Sequence, residues 1–323
     1  MPTSDLAVHL DPGALARQMA VDVRAGLTST PKVLPPKYFY DGRGSDLFDQ
    51  ITRLPEYYPS RTEAAILNTY ADEIAQLSAA TTLLELGSGT SEKTRRLLRA
   101  LAQAGTLERF VPFDVDPVVL EEASATIGRE FPGLDVHPEV GDFEKHLGEL
   151  PRHAGTMIAF LGSTIGNMDP AQRAPFLAGV RGVLAPGDTF LLGLDLVKGA
   201  ERLEAAYDDA QGVTAAFNKN VLAVMNSSLG ANFDLAGFDH VARWNPEREW
   251  VEMRLRSLRD QKVWLTDLDL EVAFAAGEEM RTEISSKFRR ETISAELDAA
   301  RLAVAHWWTD PDEDFAVLLA TPR

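Results

Sequence analysis

The sequence predicts an α/β protein, a doubly wound and mainly parallel sheet followed by a second lobe of α+β character. Three observations carry that prediction. Between residues 81 and 195 short apolar runs alternate with helix-periodic stretches; the first run ends in a glycine turn; and beyond residue 197 long runs of period two take over. The chain has 323 residues, 45% of them hydrophobic, which is enough for a full α/β core and a further lobe. Its 49 acidic against 32 basic residues give a formal charge of −17, which repels phosphate backbones and anionic headgroups. Nucleic acid and membrane surfaces are therefore not expected as partners. With no cysteine, a disulfide framework and a thiolate nucleophile are both excluded. The opening Met1-Pro-Thr-Ser-Asp-Leu lacks the basic-then-apolar pattern of an export signal, and no run reaches the roughly 18 apolar residues of a membrane span. A cytoplasmic monomer is expected.

Taken in order, Leu34-Pro-Pro-Lys-Tyr-Phe-Tyr-Asp-Gly-Arg-Gly44 reads as loop, and Leu47, Phe48, Ile51 and Leu54 then recur at helical spacing. Ser60 and Glu63 fit a capping box that would open a helix at Ala64. Strands are expected over 82–86, 110–115, 134–140, 156–161 and 189–195, with helices over 92–104, 118–130 and 172–184 between them. Short turns in a β-α-β-α order imply parallel pairing with right-handed crossovers. The text changes character near residues 61 and 197, the expected boundaries of the sheet domain, 62–196. Helices over 200–211 and 214–229 and extended runs over 250–258, 263–274 and 282–288 suit a mostly antiparallel second lobe.

The first strand runs into Leu84-Glu-Leu-Gly-Ser-Gly-Thr90, where Gly87 and Gly89 let backbone approach a ligand, with Ser88 between them. A Gly-x-Gly alone is a weak signal, and a nicotinamide dinucleotide competes with S-adenosylmethionine for it. At the helix entrance stands Glu92, a carboxylate that would repel pyrophosphate. Asp114 ends the second strand, where a carboxylate can accept both ribose hydroxyls. After the third come Asp142 and Phe143, which resemble the acid–aromatic pair that holds the adenine amine and flanks its ring in class I methyltransferases, and Lys93 reads equally as a cofactor-carboxylate ligand or a solvated helix residue. Each acid alone is as well explained by a turn or a cap; all of them at the carboxyl ends of successive strands mark the ligand edge of such sheets. The Glu-x-Gly-x-Gly-Thr form resembles motif I of class I methyltransferases, which implies S-adenosyl-L-methionine as methyl donor and S-adenosyl-L-homocysteine as product.

After the fourth strand, Gly162-Ser-Thr-Ile-Gly-Asn167 replaces the Asn/Asp-Pro-Pro-Tyr motif of many amine and DNA methyltransferases and resembles the histidine-specific methyltransferase family. Pro35-Pro-Lys-Tyr-Phe-Tyr-Asp41, Leu54-Pro-Glu-Tyr-Tyr-Pro59, Glu283-Ile-Ser-Ser-Lys-Phe288 and His306-Trp-Trp-Thr-Asp310 extend the likeness over nearly the whole chain. That resemblance implies a methyltransferase lobe beside a split substrate lobe, 10–61 and 197–323. It also implies trimethylation of the α-amine of free L-histidine to hercynine, in ergothioneine biosynthesis. The family's histidine contacts fall on Tyr57, Asn167, Tyr207, Glu283 and Ser285, with Tyr40 as a nearby pocket tyrosine; Tyr40 or Tyr57 would relay the amine proton. The chemistry of each suits histidine: the Asn167 amide and Tyr207 hydroxyl as neutral donors to a carboxylate, Glu283 and Ser285 as partners of the two ring nitrogens. Residues two apart on a strand share a face, which pairs Glu283 with Ser285 and turns Ile284 and Ser286 the other way. Ser286 stands where family members often have cysteine. Trp307 and Trp308 read as structural, and the six histidines show no metal-ligand spacing, so no metal is expected. A methyltransferase for another amino acid or biogenic amine, and a dinucleotide oxidoreductase, are the competing readings.

Overall fold

The computed structural model describes residues 6–9 and 13–323, which divide into two compact units. One comprises residues 6–9, Pro59–Val197 and Phe288–Arg323; the other comprises residues 13–58 and Lys198–Lys287. Part of the expected second-lobe boundary, residues 10–12, lies outside the described residues.

The first unit is built on a nine-stranded sheet. Its order is Ala7–Val8, Glu139–Val140, Arg109–Asp114, Thr82–Leu86, Thr156–Phe160, Thr189–Asp195, Phe315–Pro322 and Leu302–Thr309, with Asp135–Val136 also paired to Arg109–Asp114. Pairing is parallel as far as Thr189–Asp195; Phe315–Pro322 runs antiparallel to that strand, and Leu302–Thr309 antiparallel to Phe315–Pro322. This is the expected doubly wound, mainly parallel sheet with an antiparallel pair added at one edge, and it corrects the expected domain division. Residues 288–323, expected in the second lobe, complete the first unit's sheet. Without them the fully buried strand Thr189–Asp195 would present an unpaired apolar edge. Their alternation reads as antiparallel, and an antiparallel strand added to a parallel sheet cannot be told by pattern from one in a separate lobe.

Alternate residues of the central strands feed two clusters. Leu84, Leu86, Ile158 and Phe160 enter one, Leu83, Met157, Ala159 and Leu191 the other, as period-two side chains covered on both faces must. Helix Thr94–Ala104 buries Leu97, Leu98 and Leu101 on one stripe and stops at left-handed Gly105. The expected 134–140 strand is two short ones, Asp135–Val136 and Glu139–Val140, broken at Pro138, which has no N–H to give.

The second unit packs helices Ala14–Thr28, Gly42–Thr52, Ala200–Tyr207 and Val213–Ser228 with a three-stranded antiparallel sheet, Phe238–Asn245, Trp250–Ser257 and Glu279–Ser286. The expected 263–274 run is a hairpin, Gln261–Leu265 with Leu270–Phe274, turned at left-handed Asp269. In the first unit the helix expected at Ala64 is Tyr58–Ser78, and Glu63 lies inside it, so its carboxylate is free for another task. Among the described residues no helix is long and apolar enough to cross a membrane.

Candidate active site

In the first unit the strand Thr82–Leu86 ends in the glycine turn. Gly87 and Gly89 have φ of 65° and 47°, the left-handed region that disfavours a side chain. The Gly87 and Ser88 amides donate to Phe113 O, at 2.8 and 3.2 Å, and the Gly89 amide donates to Asp114 Oδ2 at 2.9 Å. Asp114 Oδ1 also accepts the Val115 and Asp116 amides, so the carboxylate pins the turn of one strand to the end of the next. Burial holds its pKa above the usual Asp range, against the pull of those N–H groups. A Cβ at Gly87 would meet the Phe143 ring at 3.9 Å, which places Phe143 beside the turn; that ring packs edge-on against Phe160 and Phe176. Asp142 caps the short helix Phe143–His146 by accepting the Glu144 amide at 3.0 Å. The structure thus brings Gly87, Ser88, Gly89, Asp114 and Phe143 to one sheet edge, with Asp142 next to Phe143.

Glu85 precedes the turn and is buried; Thr94 donates to its Oε1, while its Oε2 and the Ser88 hydroxyl are buried without protein partners. Burial lifts the Glu85 carboxyl to about 8. Orphaned polar atoms beside a turn open to close backbone approach fit a polar ligand, and the residues present fit S-adenosylmethionine.

Lys93 forms an ion pair with Glu63, whose other oxygen accepts the Gly162 amide at 2.7 Å. Glu63 is fully buried, and a Cβ on Gly193 would lie 2.0 Å from its Oε1, so glycine is required there. Sequence reasoning missed this role of Glu63, because a buried carboxylate inside a helix looks like any polar position. Asn167 ends the 3₁₀ turn Thr164–Asn167 and is half-buried; Asp169 with Gln172 forms a complete capping box just after it.

The second unit gathers the remaining predicted residues. Tyr57 sets its ring edge-on to Phe48 and Tyr207, each 6.2 Å away between centroids, and Tyr40 packs edge-on against Phe48 and Phe217 while remaining 44% exposed. Asp41 caps helix Gly42–Thr52 and accepts the Asn220 amide, which fixes the chain beside Tyr40. On strand Glu279–Ser286, a register shift between Arg281 and Glu283 sets the phase of the residues that follow. Glu283 is 9% exposed, and burial pushes its carboxyl up to about 8 although Lys287 pulls it down. Among the described residues its carboxylate has no hydrogen-bond partner. Ser285 Oγ lies 2.7 Å from Tyr207 Oη, and Lys287 Nζ is 2.8 Å from both. Lys287 is a second residue sequence reasoning missed, although the period of two that pairs 283 with 285 extends to 287. Behind this face, His240 Nε2 donates to Tyr207 O at 2.7 Å, and Asn218 joins the His240 ring to the Thr282 hydroxyl. Burial lowers the His240 pKa, against the pull of the Tyr207 carbonyl, Asp208 and Asp209.

Trp308 is buried against Tyr70, and Trp307 lies under Arg290, both in the sheet unit. The Asp310, Asp312 and Asp314 carboxylates lie within 4.8 Å of one another, and Asp310 accepts the amides of Asp312, Asp314 and Phe315 as a turn cap.

A family model described as histidine-specific methyltransferase, SAM-dependent, matches residues 19–322. The chain is 58% identical over 98% of its length to a histidine N-alpha-methyltransferase of Mycolicibacterium smegmatis, covering 99% of that protein. It is 56% identical over 98% of its length to one of Mycobacterium tuberculosis, covering 98% of it. An ergothioneine biosynthesis protein 1 of Neurospora crassa is 30% identical over 91% of this chain, which spans 34% of that longer protein.

Proposed function

Because the chain belongs to the family of histidine-specific, S-adenosylmethionine-dependent methyltransferases, we propose that it transfers three methyl groups to the α-nitrogen of free L-histidine, giving hercynine for ergothioneine biosynthesis. The observation that carries the choice of acceptor is Glu283, a nearly buried carboxylate with no protein hydrogen bond, two residues from the Ser285 hydroxyl on one strand face. A ring with two nitrogens suits such a pair; a purely apolar side chain would leave the carboxylate desolvated and unpaired.

In this proposal Gly87, Ser88, Gly89, Lys93, Asp114, Asp142 and Phe143 hold S-adenosylmethionine, which supplies an electrophilic methyl group on a sulfonium. Asp114 takes the ribose hydroxyls, Asp142 the adenine amine, and Phe143 flanks the ring. Tyr57, Asn167, Tyr207, Glu283 and Ser285 bind histidine, with Asn167 and Tyr207 serving its carboxylate. The C–S bond breaks as the N–C bond forms, so the protein's task is alignment more than acid or base power. Each of the first two transfers releases one proton, which Tyr40 or Tyr57 accepts and passes on; the third releases none. Tyrosine faces also tolerate the trimethylammonium product. The proposal takes the enzyme as a cytoplasmic monomer that needs no metal, nucleic acid or membrane.

The test is mass spectrometry with NMR localisation on free histidine incubated with enzyme and S-adenosylmethionine. One, two and then three methyl groups on the α-nitrogen are expected, and none on histidine inside a peptide, whose amide nitrogen is not nucleophilic. Methyl groups on a ring nitrogen, or an unmodified amino acid, would overturn the reading.

A further inference from the structure

Strand Glu279–Ser286 changes phase once along its length. Met280 stands opposite Leu255 and is buried in the core of its unit, while Arg281 stands opposite Arg254. The next paired residue is Glu283, opposite Met253, so Thr282 is an extra residue, and two residues of this strand oppose one of its neighbour. Beyond it Glu283 and Ser285 pair with Met253 and Val251, both members of the core, and share their face. Were the ladder regular past Arg281, Thr282 would stand opposite Met253 and Glu283 opposite Glu252. Glu283 and Ser285 would then leave that face and Ile284 would enter it. Burial works against the observed phase, because it costs the Glu283 carboxylate its water and would suit an isoleucine there.

A buried polar chain holds the extra residue in place. Thr282 is fully buried; its hydroxyl lies 2.6 Å from Asn218 Oδ1 and 3.1 Å from Met253 O, the carbonyl of the residue that Glu283 opposes. Asn218, also fully buried, donates from Nδ2 to Arg254 O at 3.0 Å and reaches His240 Nδ1 at 2.8 Å. A backbone carbonyl can only accept, which fixes the amide end of Asn218 toward Arg254 O and leaves its carbonyl end for Thr282. The His240 ring then accepts at Nδ1 and donates from Nε2 to Tyr207 O at 2.7 Å. The chain of bonds thus runs from the extra residue through helix Val213–Ser228 and strand Phe238–Asn245 to the end of helix Ala200–Tyr207. There the Tyr207 hydroxyl lies 2.7 Å from Ser285 Oγ.

We propose that Thr282 is a specificity-determining positioning residue: with Asn218 and His240 it pins the bulge, and so keeps Glu283 and Ser285, in place of Ile284, on the substrate-binding face. This rests on the reading that Tyr207, Glu283 and Ser285 bind histidine. Thr282 touches no substrate atom in this account; it acts through the phase of the strand that follows it. With the bulge lost or moved, the same strand presents an isoleucine where an acceptor for a ring N–H is needed.

The experiment is a mutant cycle on the full chain, read as kcat/KM for histidine relative to phenylalanine at saturating S-adenosylmethionine. Thr282→Val keeps the shape and removes the hydroxyl; it should lower that ratio by about 10-fold or more, the range of an orphaned buried acceptor, with the KM for S-adenosylmethionine changed by less than about 3-fold. Thr282→Ser retains the hydroxyl and should recover most of the ratio. Asn218→Leu removes the partner of that hydroxyl and should lower the ratio in the same sense. In the Glu283→Ala background, Thr282→Val should add less than about 3-fold, because the acceptor it positions is already gone. Val263→Ala, a core truncation in the hairpin of the same unit, should lower the melting temperature and leave the ratio within about 2-fold. Thr282→Ala carries the same cycle if the Val variant does not fold. An unchanged ratio in Thr282→Val would overturn the proposal, as would a Thr282→Ser variant no better than Thr282→Val, losses that multiply with Glu283→Ala, or a Val263→Ala variant that moves the ratio as far. Wild-type enzyme that leaves histidine unmethylated removes the underlying reading as well; wild-type activity with an unchanged ratio removes only the part given to Thr282.

Discussion

The two units hold their candidate binding side chains in opposite ways. In the sheet unit the charged groups are already engaged by protein: Asp114 accepts three backbone amides, Asp142 caps a helix, and Glu63 takes both Lys93 and the Gly162 amide. In the other unit Glu283 is desolvated with no hydrogen bond to compensate, its carboxyl raised to about 8. The first arrangement makes a pre-set edge for the proposed methyl donor. The second leaves one acid unsatisfied, at a cost in stability, which in the proposed function is where the acceptor's ring binds.

Four substitutions sharpen that contrast, the first two taken from the larger expected effect on binding to the smaller. Asp114→Ala removes the carboxylate that both pins the glycine turn and is proposed to take the ribose, and should weaken S-adenosylmethionine binding by about 1–3 kcal/mol in calorimetry. Unchanged affinity would take Asp114 out of the site. Asn167→Ala should raise the histidine KM by about tenfold, the loss of one hydrogen bond to a charged group, and spare S-adenosylhomocysteine binding, measured separately by titration.

The other two act on stability against pH. Glu283 has its pKa raised in the folded protein from 4.5 to about 8, so its contribution to stability is fully present below 4.5 and is lost as pH rises through about 8. Glu283→Gln abolishes that dependence. The melting temperature of the variant relative to wild type should therefore be higher at about pH 9 than at about pH 5. Glu85→Gln should behave in the same sense, since its carboxyl is also raised to about 8 by burial. A pH-independent difference for both would mean that neither acid is held protonated by burial.

Much of the sheet unit is legible in sequence, because its signals are local. Strands Thr82–Leu86 and Thr189–Asp195 fall where continuous apolar runs meet turn residues, and the acids sit at strand ends. What local patterns miss is long-range pairing. Phe315–Pro322 joins Thr189–Asp195 across more than a hundred residues of chain, and nothing in its own alternation says so. Glu63 is hidden for the same reason: its partners, Lys93 and Gly162, are remote in sequence, and the one trace is the absence of a side chain at Gly193. Lys287 differs, since the alternation that singled out Glu283 and Ser285 places it on the same face; a lysine simply reads as solvated. The shared face extends to a Tyr207 hydroxyl bonded directly to Ser285, a link between a helix end and a strand that spacing cannot supply.

The selectivity of the Glu283 variant tests the central claim most directly. At fixed pH and saturating S-adenosylmethionine, kcat/KM is compared for histidine and for phenylalanine in wild type, Glu283→Ala and Ser286→Ala. Removing an acceptor from a site built to hydrogen-bond the ring should lower histidine by about 100-fold or more while phenylalanine loses little or gains, because it no longer has to desolvate an unpaired carboxylate. Ser286→Ala, on the alternate strand position, should leave the ratio nearly unchanged. Equal losses for both substrates in Glu283→Ala, or a larger loss of selectivity in Ser286→Ala, would contradict the assignment of the ring to this strand face.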